Sequence, residues 1–550
     1  MNNFQQIMLK KKKDMRYLKL LFVSFLIVLQ ISLNAQSQSR DSKEMQQSLQ
    51  KLSTMYYLIN NFYVDTANLE SLTEEAIVAV LKELDPHSAY ISKKDVEKAN
   101  EPLVGSFEGI GVTFQIFQDT ILVISPVPGG PSDRVGIMAG DKIVTINGED
   151  AFGKKVNNEY VAEHLRGKKG TKVTLGIKRG KSDELLDYEV VRDKIPLNSI
   201  DAAFMLDKNV GYIKLDRFAQ TSNTEFEESL AKLKAQKMKS LILDLRGNTG
   251  GYLNIAAELS NQFLKDNMTI VYTEGDKSPK QFFKTDKKGK FTDGKLVVLI
   301  DEGSASASEI VSGAVQDWDR GILIGRRSFG KGLVQRPFNL PDGSQVRLTT
   351  ARYYTPTGRC IQRSYEKGSE DYFNEMTKRM KHGEFYHSDS IQFPDSLKYS
   401  TLLSGRTVYG GGGIMPDIFM PVDTTFATKL YTDLIRKGLF NRFTVDYVMK
   451  NRELISNEYS DFENFYEQFE VTDEMLSDFR SLAEEEDVEW NDEQFQRSEP
   501  MIKLQLKALI ARNEWSQSEY YRVVMNEDKV IKKAVEILND NNQYRKILKR

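Results

Sequence analysis

Apolar residues at Met45, Leu49, Leu52, Tyr56, Ile59 and Phe62 recur at intervals of three and four, which predicts an amphipathic helix over residues 44–62. A second helix is expected from about Glu74 to Leu84. It should stop at Asp85-Pro86, because proline pushes the residue before it out of helical geometry. Between residues 105 and 195 the pattern changes to short β-type runs, Ile121–Ile124, Lys142–Ile146 and Lys172–Ile177. Turns such as Asn147-Gly148 and Arg179-Gly180 separate them, and one helix, Asn158–Leu165, interrupts them. This reads as a small β-rich module. From about 208 to 360 strands and helices alternate, with Leu241–Leu245 and Leu296–Ile300 as continuous apolar runs. Such runs suit strands buried on both faces. Residues 364–405 are polar and read as an insertion or flexible lid, and from about 425 to the end the pattern is helical with few glycines.

Composition narrows the chemistry. Among 550 residues, 76 Lys and Arg stand against 78 Asp and Glu, so the net charge of −2 offers no global attraction for nucleic acid. A single Cys excludes an intramolecular disulfide and any zinc site built on two thiolates. With only four histidines, His87, His164, His382 and His387, a histidine-rich metal centre is not expected, and His382 and His387 lack a third ligand at metal spacing. Lys10–Lys13, Arg16 and Lys19 precede an apolar run, Leu20–Leu29, and small or polar residues around Ala35. That order is a secretory signal peptide over residues 1–35, with an uncleaved inner-membrane anchor as the alternative. Its removal takes away six basic residues and Asp14, leaving a net charge of −7 on an exported, periplasmic chain. Residues 451–500 carry a local charge of −14 and residues 501–550 one of +5, read as solvated helix faces that attract each other.

Three segments carry candidate chemistry. The strand Leu296–Ile300 runs into Asp301-Glu302-Gly303-Ser304-Ala305-Ser306-Ala307-Ser308-Glu309 and then a helix. A serine at that junction meets first-turn N–H groups and the helix dipole, which favour developing negative charge. Read alone, such a serine more simply caps the helix. Gly325–Gly332 fits a phosphate-loop pattern, but Gly332 stands where a magnesium-binding hydroxyl is needed and a strand pattern with Pro337 follows. The nucleotide reading fails. In an extended chain Lys331, Leu333 and Gln335 share a face, so Lys331 and Gln335 point into one space. A buried, neutral lysine can act as a general base. Asp244-Leu245-Arg246-Gly247-Asn248-Thr249-Gly250-Gly251 is a glycine-rich turn whose backbone N–H groups could bind an oxyanion.

Together with Leu84–Tyr90, Tyr353–Gly358 and Gly413–Asp417, these segments resemble the signature blocks of the carboxyl-terminal processing peptidases, or tail-specific proteases. The resemblance runs in order from about residue 45 to 425. It implies a Ser/Lys mechanism with Ser306 as nucleophile, Lys331 as base and Gln335 as its orienter. Ser306 is chosen over Ser304 and Ser308 because that family spaces Ser and Lys as 306 and 331 are spaced. The N–H groups of Ala307 and of the Gly250 turn would form the oxyanion hole. The β-rich module is then expected to be a PDZ domain, with Gly109-Ile110-Gly111-Val112 as the loop that captures a chain-terminal carboxylate.

The implied fold is mixed α/β: a ClpP/crotonase-like peptidase core with an inserted PDZ domain, N-terminal helices and a C-terminal helical extension. The expected segments are 1–35 signal peptide, 36–100 helices, 101–195 PDZ domain, 196–425 core and 426–550 helical extension. The expected function is an exported serine endopeptidase that recognises protein C-termini and cleaves through an acyl-enzyme, with no metal or cofactor required. The rival is a catalytically inactive PDZ scaffold. A Ser-His hydrolase using His164 or His387 leaves the Lys331–Gln335 face unexplained. Partners would be proteins or peptides with free C-termini. A homodimer through the helix around Met45–Phe62, or an activating or adaptor partner, is left open.

Overall fold

The computed structural model describes residues 42–549 apart from 118, 181 and 183. The expected signal peptide lies outside them. Among the described residues no helix is long and apolar enough to cross a membrane. The chain divides at Leu81 into two compact units. In the first, the expected amphipathic helix forms over 42–62, and Met45, Leu49, Leu52 and Phe62 on it are exposed. The second helix, Leu69–Leu84, starts a turn earlier than its periodicity suggested and ends before Asp85-Pro86 as expected.

The β-rich module is an antiparallel sheet ordered Val112–Phe117, Thr120–Pro126, Lys142–Ile146, Lys172–Lys178 and Leu185–Val191. Alternation decides which side chains enter its core: Val173, Leu175 and Ile177 are buried beside Ile121, Val123 and Ile143. The helix Asn158–Leu165 closes that core with Val161 and Leu165, and Asn157 caps it by accepting from Tyr160 N–H. Asn147 and Gly148 both have positive φ, the geometry of a tight hairpin turn. The strand pair Ser106–Gly109 and Asp193–Pro196 brackets the module in the chain.

The core sheet is ordered Ile200–Met205, Val210–Leu215, Ser240–Asp244, Lys295–Ile300, Ile322–Gly325 and Ile418–Phe419, parallel from the second strand onward. Its apolar runs are continuous because both faces are covered. Leu241, Leu243, Leu296, Val298 and Ile300 join one apolar cluster with the helices Leu253–Asn261 and Ala307–Asp317. Ile242, Val297 and Leu299 join another, formed with Val530, Ile531, Ala534, Ile537 and Leu538. The last helices are therefore a layer of the core, not merely an appendage to it. A second sheet places Ala89–Ile91 and Leu333–Asn339 on either side of the long strand Gln345–Tyr354.

The polar segment 364–405 is more structured than a flexible lid. It contains the helix Ser369–Lys381, on which Tyr372 is buried. Glu384 Oε1 receives both Arg379 Nε at 2.8 Å and Arg327 Nε at 2.6 Å. Two guanidinium groups sharing one buried carboxylate anchor the segment to the core; burial and the neighbouring Arg327 push Arg379 down to about 10. The helices from Lys429 to Met525 have their own core, including Leu434, Phe443, Phe465, Phe479, Leu506 and Leu509. The expected attraction between the acidic and basic blocks occurs at Arg522–Glu463, 2.6 Å.

Candidate active site

Ser306 immediately precedes the helix Ala307–Asp317, with φ 55° and ψ −112°. An L-residue rarely adopts that backbone, and strain of this kind collects where a side chain must be aimed precisely. The neighbouring serines are accounted for differently. Ser304 Oγ donates to Leu245 O and Ser308 Oγ to Asn248 O, each at 2.8 Å. Both are fully buried and fasten the serine segment to the glycine-rich turn. Ser306, in contrast, lines a cleft of about 540 Å³ together with Gly250, Lys331, Gln335 and Tyr353.

Lys331 Nζ donates to Gln335 Oε1 at 2.9 Å. The strand Leu333–Asn339 has a bulge between Val334 and Gln335, so simple alternation is broken, yet the two side chains still meet. Burial lowers the Lys331 pKa, aided by the charge of Arg347 and opposed by Glu309 and Asp85. The Gln335 amide is held in turn: its Nε2 donates to the carbonyl oxygen of His87. With its Nε2 fixed on a carbonyl, the Gln335 oxygen faces the lysine.

His87 thus participates through its backbone. The loop that presents it is tied by Asp85, whose carboxylate accepts from His87 N at 2.8 Å and from Ser88 N at 2.9 Å. The His87 ring bonds to Tyr372 OH at 2.8 Å, and burial with Lys331 nearby lowers its pKa to about 4, so it is neutral at neutral pH. Neither His164, which stacks on Tyr160 with ring centroids 4.0 Å apart, nor His387 lines the cleft.

Glu309 links the serine and lysine segments. It is fully buried, and its carboxylate accepts from Ser306 N (2.7 Å), Lys331 N (2.9 Å), Gly330 N (2.7 Å) and Ser328 Oγ (2.6 Å). These four donors favour the charged form, but burial outweighs them and raises the pKa to about 7. Tyr353 adds a second link, its hydroxyl lying against Ser306 O at 3.0 Å and against Lys331 O. Neither residue has a role that the sequence pattern reveals, nor does the His87 carbonyl; the signal for all three is their presence within the motif blocks.

Gly250 has φ +106°, and a Cβ there would lie 2.8 Å from Ser306 Cβ and 3.0 Å from Ala307 N. Only a glycine leaves the Ala307 N–H uncovered. The Gly250 N–H itself donates to Asn248 Oδ1 at 2.8 Å. Gly109–Val112 lie in the β-rich module, outside the cleft lining. There Ile110 is buried, and Gly111, at φ +72°, would bring a Cβ within 2.9 Å of Ile195. Val112–Phe117 is an edge strand, so one side of it has no partner strand among the described residues. Among the described residues no group of three or more His, Cys, Asp or Glu could hold a metal ion.

Known proteins share this organisation. Residues 209–368 match peptidase family S41, 109–190 match the PDZ domain, and 25–95 match the N-terminal domain of the activating protease CtpB. The carboxy-terminal processing protease CtpB of Bacillus subtilis (strain 168) is 33% identical over 359 residues, covering 64% of this chain and 72% of that protein. The chain belongs to peptidase family S41. It is a serine-type peptidase with an α/β core and a PDZ domain, as expected. A "Probable CtpA-like serine protease" of Staphylococcus epidermidis (strain ATCC 12228) is 34% identical over 345 residues, covering 62% of this chain and 69% of that one. Among solved structures, the photosystem II D1 C-terminal processing protease is 27% identical and covers 56% of this chain and 83% of its own, with a TM-score of 0.34. Residues 430–516 of this S41 peptidase match a family of unknown function.

Proposed function

We propose that this S41 peptidase is an exported, periplasmic endopeptidase that binds a protein C-terminus on its PDZ domain and cleaves with Ser306 and Lys331. The observation that carries the reading is the Lys331 Nζ–Gln335 Oε1 hydrogen bond inside the cleft that also holds the strained Ser306. Neutral Lys331 takes the Ser306 hydroxyl proton as Oγ attacks the scissile carbonyl. Gln335, fixed by the His87 carbonyl, orients the amine without adding charge. The Ala307 N–H, at the helix N-terminus, donates to the oxyanion. The turn carrying Gly250 completes the hole, with the Gly250 N–H exchanging Asn248 for the substrate oxygen. Lys331 returns the proton to the leaving amine, and the acyl-enzyme on Ser306 is then hydrolysed by water that Lys331 activates.

Recognition is assigned to the loop Gly109–Val112 and the open edge of Val112–Phe117. Backbone N–H groups of the loop take the terminal carboxylate, and the extended peptide adds to the sheet edge. Cleavage of a peptide with a free carboxylate is compared with its amidated twin. Masking the carboxylate is expected to lower kcat/KM by about tenfold or more, on the scale of a lost charge-assisted contact. Equal rates for the two peptides would contradict tail recognition while leaving the chemistry at Ser306 intact.

A further inference from the structure

The helical region after residue 425 touches the peptidase at two functionally distinct places. At one end, the helix Leu439–Glu458 lies against the PDZ domain. Its residues Arg442, Val445 and Met449, spaced three and four apart, form one face. The Arg442 guanidinium stacks 3.9 Å from the ring centroid of Phe117, at the end of the peptide-binding edge strand. Val445 is buried with Leu122 and Ile124 on the neighbouring strand. Met449 occupies the space above Gly140, where a Cβ would lie 1.9 Å from its sulfur. Gly438, just before the helix, similarly receives Gln115 of the edge strand, whose Nε2 would meet a Cβ at 2.5 Å.

At the other end, Asp528 Oδ2 pairs with Arg246 Nη1 at 2.7 Å, and Met525 Sδ lies 3.7 Å from Arg246 Nη2. Arg246 belongs to the turn that carries Gly250. It is otherwise held by a fork to Asp244 at the end of the central strand, with Nη2–Oδ2 at 2.6 Å. Two residues on, Asn248 O accepts from Ala305 N at 3.0 Å, which joins the turn to the serine segment. Between the two ends the helices share one apolar core, in which Phe443 and Val448 belong with Leu506, Leu509 and Val523.

We propose that the helical region is a strut that holds the PDZ domain and the oxyanion turn in register, with Asp528 as the positioning residue of that turn. Arg442, Val445 and Met449 form the seat at the PDZ end. Occupation of the PDZ edge strand moves Phe117 and Gln115 against the seat, and the shared core carries the displacement to Arg246. This rests on the reading that Ser306 is the nucleophile and that the PDZ domain binds a free carboxylate. It gives residues 430–516 a role in the reaction.

Asp528→Asn is the direct variant. Asp528 Oδ1 also caps the following helix, accepting from Val530 N at 2.7 Å, and asparagine keeps that acceptor while removing the charge opposite Arg246. Asp528→Ser, which caps but does not reach Arg246, is the second variant should the first fold poorly. Arg442→Gln tests the PDZ end. The readouts are kcat and KM, and the rate at which a fluorophosphonate labels Ser306 with and without a product-length peptide bearing a free carboxylate.

Asp528→Asn is expected to lower kcat about tenfold with KM within about twofold, kcat being taken per Ser306 titrated with the fluorophosphonate so that a smaller folded fraction is not read as a slower enzyme. In the wild type the peptide should change the labelling rate about fivefold, and each variant should reduce that change to less than about twofold. Wild-type kcat together with undiminished coupling in both variants would overturn the strut while leaving Ser306 chemistry standing. Absence of labelling in the wild type would overturn the proposed function and the strut with it.

Discussion

Lys331→Ala is expected to lower kcat by about 10⁴-fold, the scale on which losing one member of a nucleophile–base unit is felt. The variant should remain folded, because the lysine amine is bonded to a side chain and supports no backbone element. Lys331→Arg should be equally inactive, since a guanidinium does not deprotonate in this pH range. Removing the base also removes its titration. In the wild type, kcat should rise with pH as the amine loses its proton. The midpoint should lie below the ordinary lysine value of 10.5, because burial and Arg347 lower it. A pH–rate profile with stopped assays measures this directly. An unchanged rate in Lys331→Ala, or a limb at or above the ordinary lysine value, would contradict a lysine base.

The second large effect is expected at Glu309, a residue that touches no substrate in this account. Its carboxylate accepts from the backbone of both Ser306 and Lys331, so it fixes the distance between the two segments. Glu309→Gln keeps the shape but turns one acceptor into a donor facing N–H groups, at a cost of about 1–3 kcal/mol for each donor left unsatisfied. Misplacement of the two segments by an ångström is expected to lower kcat/KM by about 10²-fold.

Stability carries a second signature of the same residue. The folded-state pKa of about 7 lies above the ordinary value of 4.5, so the folded protein binds more protons than the unfolded chain between those values. That contribution is fully present below about pH 4.5 and is lost as pH rises through about 7. Wild-type Tm should therefore fall relative to Glu309→Gln across that window, by the equivalent of roughly 3 kcal/mol. Parallel Tm profiles for the two proteins would show that Glu309 does not titrate there.

Much of the core is legible in the chain because burial on both faces leaves a plain mark. Leu241–Leu245 and Leu296–Ile300 have no polar alternation, and each packs helices on both sides. The helix Asn158–Leu165 and the strand Lys142–Ile146 follow directly from periodicity and turn chemistry. Lys331 and Gln335 meet as their spacing suggests, although a bulge intervenes. What the chain conceals is contact between backbone groups and distant segments. The carbonyl of His87 holds Gln335, nearly 250 residues away, and a carbonyl leaves no residue-type signature. Glu309 sits in the first turn of a helix, where an acid is ordinary, so its inward aim is not visible in the pattern. The terminal helices show an apolar face, but periodicity alone does not say that Val530, Ile531 and Leu538 complete the peptidase sheet.

Ser306, and neither of its neighbours, is expected to form the covalent intermediate. The most direct measurement is mass analysis of the protein quenched during turnover of a slowly deacylating ester or peptide, followed by mapping of the acylated segment. An acyl group is expected on Ser306 in the wild type and none in Ser306→Ala. An acyl group on Ser304 or Ser308, or undiminished cleavage by Ser306→Ala, would contradict it.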